Sequence, residues 1–107
     1  INALNSEGLP VILMGDFNET VNDYSRTVPA RLAEAGFITA DLAAPATSNL
    51  TSTTFHDFNI KTTSTAHIDY IMASPLTTYV SYSVLKSTAA NLQPSDHYPI
   101  TAKLDIY

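Results

Sequence analysis

The sequence predicts an α/β fold, and three observations lead there. Leu9 to Met14 is a nearly continuous apolar run rich in β-branched residues, the pattern of a strand buried on both faces of a layered sheet. Ala66 to Ala73 and Tyr98 to Ile106 alternate in polarity with the period of two that marks a strand. Between the apolar run and these alternating segments, Val28 to Ala35 has the composition of a short helix.

Taken in order, residues 1–7 read as the last turns of a helix. Ile1 and Leu4 are three apart, and Gly8 supplies a left-handed stop. The apolar strand follows and ends at Gly15. Asp16 to Tyr24 is polar and turn-prone, with Asn18, Asn22 and Asp23. Thr27 can cap the next helix, Pro29 fits its first turn, where a missing N–H is harmless, and Gly36 ends it. Val28, Leu32 and Ala35 fall on one face. Asp41 to Pro45 is a short helical turn, followed by a Ser/Thr/Asn loop. Thr51 to Phe55 is expected as a strand. In Ala66 to Ala73, Ile68, Tyr70 and Met72 alternate with His67, Asp69 and Ile71. Thr77 to Leu85, rich in Thr, Tyr and Val, is a further strand. Asn91 to Ser95 is a loop. The last strand alternates Ile100, Ala102, Leu104 and Ile106 with Thr101, Lys103 and Asp105.

Composition narrows the function. The 107 residues make one domain or a piece of one. A chain this long buries roughly two-thirds of its unfolded surface, enough for one core. Hydrophobic residues make up 45%, which argues against wholesale disorder. The formal charge of −5 excludes a broad polybasic surface for nucleic acid or anionic membrane, but not a local acidic site that recruits a divalent metal. With no cysteine there is no disulfide, thiolate metal site or cysteine nucleophile. No apolar run approaches the ~18 residues of a membrane span. The compartment stays open; the lack of Cys and wealth of Ser and Thr are compatible with a secreted or cell-surface bacterial protein.

Three clusters place ionisable residues at strand ends. In Gly15-Asp16-Phe17-Asn18, a strand delivers a carboxylate and an amide at its C-terminal edge, where open α/β sheets bind ligands. The same residues are equally good turn chemistry. Asp69 lies in a strand among large apolar neighbours, so it needs a partner: a cation, a metal or a histidine, or nearby backbone. In Pro94-Ser95-Asp96-His97-Tyr98-Pro99, Asp beside His offers metal ligation or acid–base chemistry, provided the loop turns both side chains to one site. His56, in Phe55-His56-Asp57-Phe58, can line a pocket. His67 either shares the face of Asp69 or sits exposed at the strand's start.

Taken together, these motifs in this order, with Ile68-Asp69-Tyr70-Ile71 between the first and the last, resemble the endonuclease/exonuclease/phosphatase superfamily. That superfamily includes DNase I, exonuclease III, apurinic endonucleases, deadenylases, neutral sphingomyelinases and inositol-polyphosphate 5-phosphatases. Thr54-Phe55 and Phe58 also resemble the loop that precedes the Asp69 strand in deadenylase-like and many bacterial members. The resemblance runs from before Asp16 to the last strand. It implies half of a four-layer α/β sandwich, with a mostly antiparallel or mixed sheet and helices on one face.

By the same resemblance, Asp16 and Asn18 contact the scissile phosphate and the attacking water. Asp69 orients His97, and His97 meets the phosphate or transfers a proton. Asp96 and Asp16 approach a Mg²⁺ or Mn²⁺ ion, which suits oxygen ligands. Asn18, His97 and His56 are the implied substrate contacts. The superfamily's amino-terminal half supplies a metal-binding Glu, an early Asn and a further His or Tyr. Glu7, Glu19 and Glu34 lack that context. Residues 1–107 are therefore expected to be the C-terminal half of a metal-dependent phosphodiesterase acting on nucleic acid, with its missing half as partner and the isolated fragment inactive. The alternatives are a phosphatase or sphingomyelinase-type enzyme, or a non-catalytic fragment that homodimerises through its exposed sheet face.

Overall fold

The computed structural model describes residues 4–19, 28–50, 53–59, 61–86 and 93–106. The elements run β1 (Ile12–Asp16), α1 (Val28–Glu34), β2 (Ile38–Thr39), α2 (Ala40–Ala43), β3 (Ala46–Ser48), β4 (Asp69–Ala73), β5 (Thr77–Val84) and β6 (Ile100–Ile106). They form two three-stranded sheets, ordered β1-β4-β2 and β3-β5-β6. The first is antiparallel throughout. The second is mixed, with β3 parallel and β6 antiparallel to β5. The expected α/β class with antiparallel and mixed sheets is observed. Among the described residues no helix is long and apolar enough to cross a membrane.

One core joins the two sheets. Ile71 and Ala73 of β4 pack with Tyr79, Tyr82 and Val84 of β5, Ala40 of α2, and Tyr98. Ile12, Ile100, Ala102 and Leu104 lean on this cluster. A register shift between Tyr79 and Ser81 breaks the strict alternation of β5. An extra residue there lets Tyr79 and Tyr82, three apart, both turn inward. The Tyr79 hydroxyl donates to Ile38 O at 2.7 Å and Ile71 O at 3.3 Å, tying β2 and β4 to β5. Burial, helped by the Asp41 charge, pushes Tyr79 up to about 12, so it stays a neutral donor.

Several expectations need correction. The strand buried on both faces is β4, where Tyr70, Ile71, Met72 and Ala73 are all buried. β1 is the edge strand beside it, and its Met14 is 69% exposed. Burial follows position in the sheet, and a central strand is covered where its neighbour is not. β1 also runs through Gly15 to Asp16. Leu4–Glu7 is turn and not helix, while Ile1 lies outside the described residues. The Asn5 side chain brackets Leu9, accepting from its N at 2.9 Å and donating to its O at 2.8 Å.

In α1 the buried residue is Pro29; Val28 and Ala35 are exposed. Thr27 lies outside the described residues, and the Val28 amide donates to Glu19 Oε2 at 2.7 Å. Gly36 does end the helix, at φ +95°, with Gly36 N to Ala33 O and Phe37 N to Leu32 O closing a Schellman motif. Thr51 and Ser52 lie outside the described residues, and Thr53–Phe55 is not a strand: Phe55 makes one isolated bridge, to His97. Conversely β2 lies where the sequence pattern marks no element, and β3 lies in the stretch expected as a Ser/Thr/Asn loop.

Candidate active site

Sheet register builds the site. In the β1–β4 pair, Asp16 stands opposite Asp69, so the last residue of one strand and the first of the next share a face. Phe17 N extends the ladder to Ile68 O at 2.9 Å, and the Phe17 ring meets Tyr70 edge-on with centroids 6.0 Å apart. The chain then turns. Asn18 N donates to Asp16 Oδ1 at 2.8 Å, with Asn18 at φ 53°, a left-handed conformation Asn tolerates. Asn18 thus joins the site through its backbone, with its side chain on an exposed turn.

The opposite wall comes from the loop before β6. His97 Nδ1 lies 2.8 Å from Asp69 Oδ2, and His97 Nε2 lies 3.8 Å from both Asp16 Oδ2 and Asp96 Oδ1. Because β6 begins only at Ile100, Asp96 and His97 do turn to one place. Ser95 Oγ accepts the His97 amide at 3.1 Å. The Phe55 ring lies against the imidazole, centroids 5.1 Å apart. The hydrogen bond to Asp69 raises the His97 pKa above its ordinary 6.5; partial burial works against this, and the charges of Asp69, Asp16 and Asp96 add to it. With Asp69 accepting from Nδ1–H, Nε2 is the atom presented to the cleft.

Asp16, Asp69 and His97 offer ligand atoms within 4.8 Å of one another, a group that could hold a metal ion. Asp69 Oδ2 is engaged by His97, which leaves the Asp16 carboxylate as the freer oxygen donor, with Asp96 beside it. That donor set fits a hard divalent cation, which takes one or two carboxylates and keeps waters or phosphate oxygens for the rest. Asp16, Gly15 and Asp69 also line a cleft of ≈ 220 Å³ whose remaining wall is Met14, Tyr70, Ile71 and Ile100.

Two histidines lie away from the Asp16–Asp69–His97 group. His56 is 2% exposed and packs on Tyr98 with ring centroids 4.3 Å apart, so the substrate contact expected of it is corrected. It sits one position along from Phe55, and that single step turns it to the core. His67 bonds through Nε2 to the hydroxyl of buried Tyr82 at 2.7 Å, a structural role.

Motif reading placed Thr54 in the loop before the Asp69 strand and gave it no role. It is fully buried, and its Oγ1 accepts from Ile68 N at 3.0 Å and Asp69 N at 3.3 Å. Its backbone carbonyl accepts from Tyr98 N at 2.8 Å, so one threonine braces the start of β4 and the loop that carries His97. A buried hydroxyl amino acid has no sequence signature beyond its place beside Phe55.

The family model described as "Endonuclease/Exonuclease/phosphatase family" matches residues 1–97. Solved structures share the fold. The mannosyl-6-phosphatase of Bacteroides thetaiotaomicron has a TM-score of 0.81 at 26% identity, over 98% of this chain and 41% of its own. An endonuclease/exonuclease/phosphatase family protein from the same organism gives 0.77 at 27% identity, over 96% and 40%. A conserved protein of unknown function from Enterococcus faecalis gives 0.78 at 22% identity, over 99% and 40%. The chain thus spans about 40% of the length of these structures. No curated protein matches it. With Asp16, Asp69 and His97 meeting at one sheet edge, and with the model match running along nearly all of the sequence, the chain belongs to the endonuclease/exonuclease/phosphatase family.

Proposed function

We propose that this chain is the C-terminal half of a divalent-metal-dependent phosphoester hydrolase. The observation that carries the reading is the Asp69–His97 hydrogen bond, which aims Nε2 at the cleft between Asp16 and Asp96. Asp69 holds the ring in one tautomer and stabilises its protonated form. His97 then donates from Nε2 to a phosphate oxygen as charge develops there. Asp16 and Asn18 border the opposite side, where an attacking water would be oriented. Mg²⁺ or Mn²⁺, held by Asp16 with Asp96, would neutralise phosphate charge and polarise its oxygens. The remaining carboxylate, and the second layer of the sandwich, would come from the other half of the same domain; a homodimer is the alternative.

On substrate, the sequence reading favoured nucleic acid. A small phosphorylated molecule has better support. No Lys or Arg is among the residues lining the cleft, the net charge is −5, and a structure 26% identical is a mannosyl-6-phosphatase. A polyanionic backbone is held by a cationic track, which these residues do not form. The test is to assay the full-length parent with Mg²⁺ against hexose 6-phosphates, plasmid DNA, RNA, sphingomyelin and inositol phosphates. Phosphate release from the sugar phosphates is expected. Cleavage of DNA or RNA alone would restore the nuclease reading. Turnover unchanged by a chelator would sink the metal-dependent mechanism.

A further inference from the structure

The loop at Thr54–Asp57 and the loop at Asp96–Tyr98 lie side by side as two plies. His56 N and Asp57 N both donate to Asp96 O, at 2.9 and 3.2 Å, and Tyr98 N donates to Thr54 O at 2.8 Å. Side chains alternate across the plies. Phe55 and His97 meet on the cleft side, and His56 and Tyr98 meet behind them.

The rear pair is unusual. His56 and Tyr98 are each 2% exposed. Yet His56 Nδ1, His56 Nε2 and the Tyr98 hydroxyl have no hydrogen-bond partner among the described residues. Native interiors rarely leave one such atom unpaired, and here three of them sit in two rings packed at a 42° tilt. Each atom is sealed from the surface, so neither substrate nor another domain can pair it from outside. What satisfies sealed polar atoms in this setting is an internal water, which needs only a small polar space and two or more partners.

We infer that His56 and Tyr98 hold an internal water that bridges the imidazole to the phenol hydroxyl and locks the two plies behind His97. Both are then positioning residues: they touch no substrate and act by keeping the His97 ring in line with Asp69. The activity part of this inference rests on the phosphoester reading above; the hydration site does not.

The test compares Tyr98→Phe, His56→Phe and the double variant in the full-length parent. If the atoms are unpaired, deleting the hydroxyl removes a buried unsatisfied group, and Tm stays or rises. If a water bridges them, Tyr98→Phe lowers Tm by roughly 2–4 °C. The double variant then falls about as far as either single one, since the partners share one interaction. A Tyr98→Phe chain as stable as wild type overturns the site. Should His56→Phe fail to fold, ¹⁵N spectra of the wild-type chain decide. One locked His56 tautomer is expected, and fast averaging of two tautomers would defeat the idea. In the active parent, Tyr98→Phe should lower kcat several-fold and leave KM unchanged. A lower Tm with both constants unchanged would overturn the positioning role alone. A wild-type parent inert toward every phosphoester would sink the functional reading and leave the Tm comparison standing.

Discussion

His97 and His56 stand one residue apart across the same bridge, in opposite environments. His97, across from Phe55, faces the cleft; one ring nitrogen is bonded to Asp69 and the other looks at Asp16 and Asp96. His56 faces the core among aromatic rings. Alternation along an extended segment explains the split, since neighbouring side chains point to opposite sides. Residue type therefore says little about role here. A histidine with a carboxylate partner at the surface of a cleft is equipped for proton transfer, and one sealed behind it is equipped for holding shape.

The comparison is sharpest in a pair of deletions. His97→Ala in the active parent should reduce kcat by about 10²–10⁴, as for a removed acid–base group, with little change in Tm. His56→Ala should instead unsettle the fold, lowering Tm first. Equal catalytic losses at equal Tm would erase the distinction between the two faces. Asp69→Asn tests the orienting bond and should also cost orders of magnitude in kcat while the chain stays folded, as circular dichroism would check.

Smaller effects probe the supporting residues. Thr54→Val keeps the shape but leaves the Ile68 and Asp69 amides without their acceptor, so it should destabilise by about 1–3 kcal/mol in urea titrations. Asp16→Asn should leave folding intact and raise the Mg²⁺ concentration needed for half-maximal rate, if Asp16 is the main carboxylate at the cation. The smallest effect is on pH. The folded state raises the His97 pKa above 6.5 and so binds that proton more tightly than the unfolded chain does. Its contribution to stability is full below 6.5 and is lost as pH rises through the folded value. Proton NMR should show His97 titrating above the ordinary histidine value of 6.5, and Asp69→Asn should bring it back down.

Much of the site was legible because its residues are tied to local patterns. Asp16 follows an apolar run, Asp69 opens an alternating one, and His97 precedes another, so each lands at a strand end. Asp96 and His97 could be placed together only if the loop turned, and it does. Less legible were the short strands. Ile38–Thr39 and Ala46–Ser48 are too brief to show a period, and they are strands because β4 and β5 offer them edges. Thr53–Phe55 shows the reverse: strand-like residues that form a braced loop. His56 was misplaced because burial on one side of a loop is not written in the loop.

Two things, then, follow from different levels. The sequence by itself determined the class of the fold, the order of the strands that matter, and which carboxylates and histidine could meet, because apolar periodicity and strand ends are local properties. The tertiary structure decided that Asp16 lies opposite Asp69, that Nδ1 and not Nε2 of His97 is the bonded nitrogen, and that β4 and not β1 is the central strand. Those outcomes depend on register and on which strand has neighbours on both sides, and long-range pairing sets both.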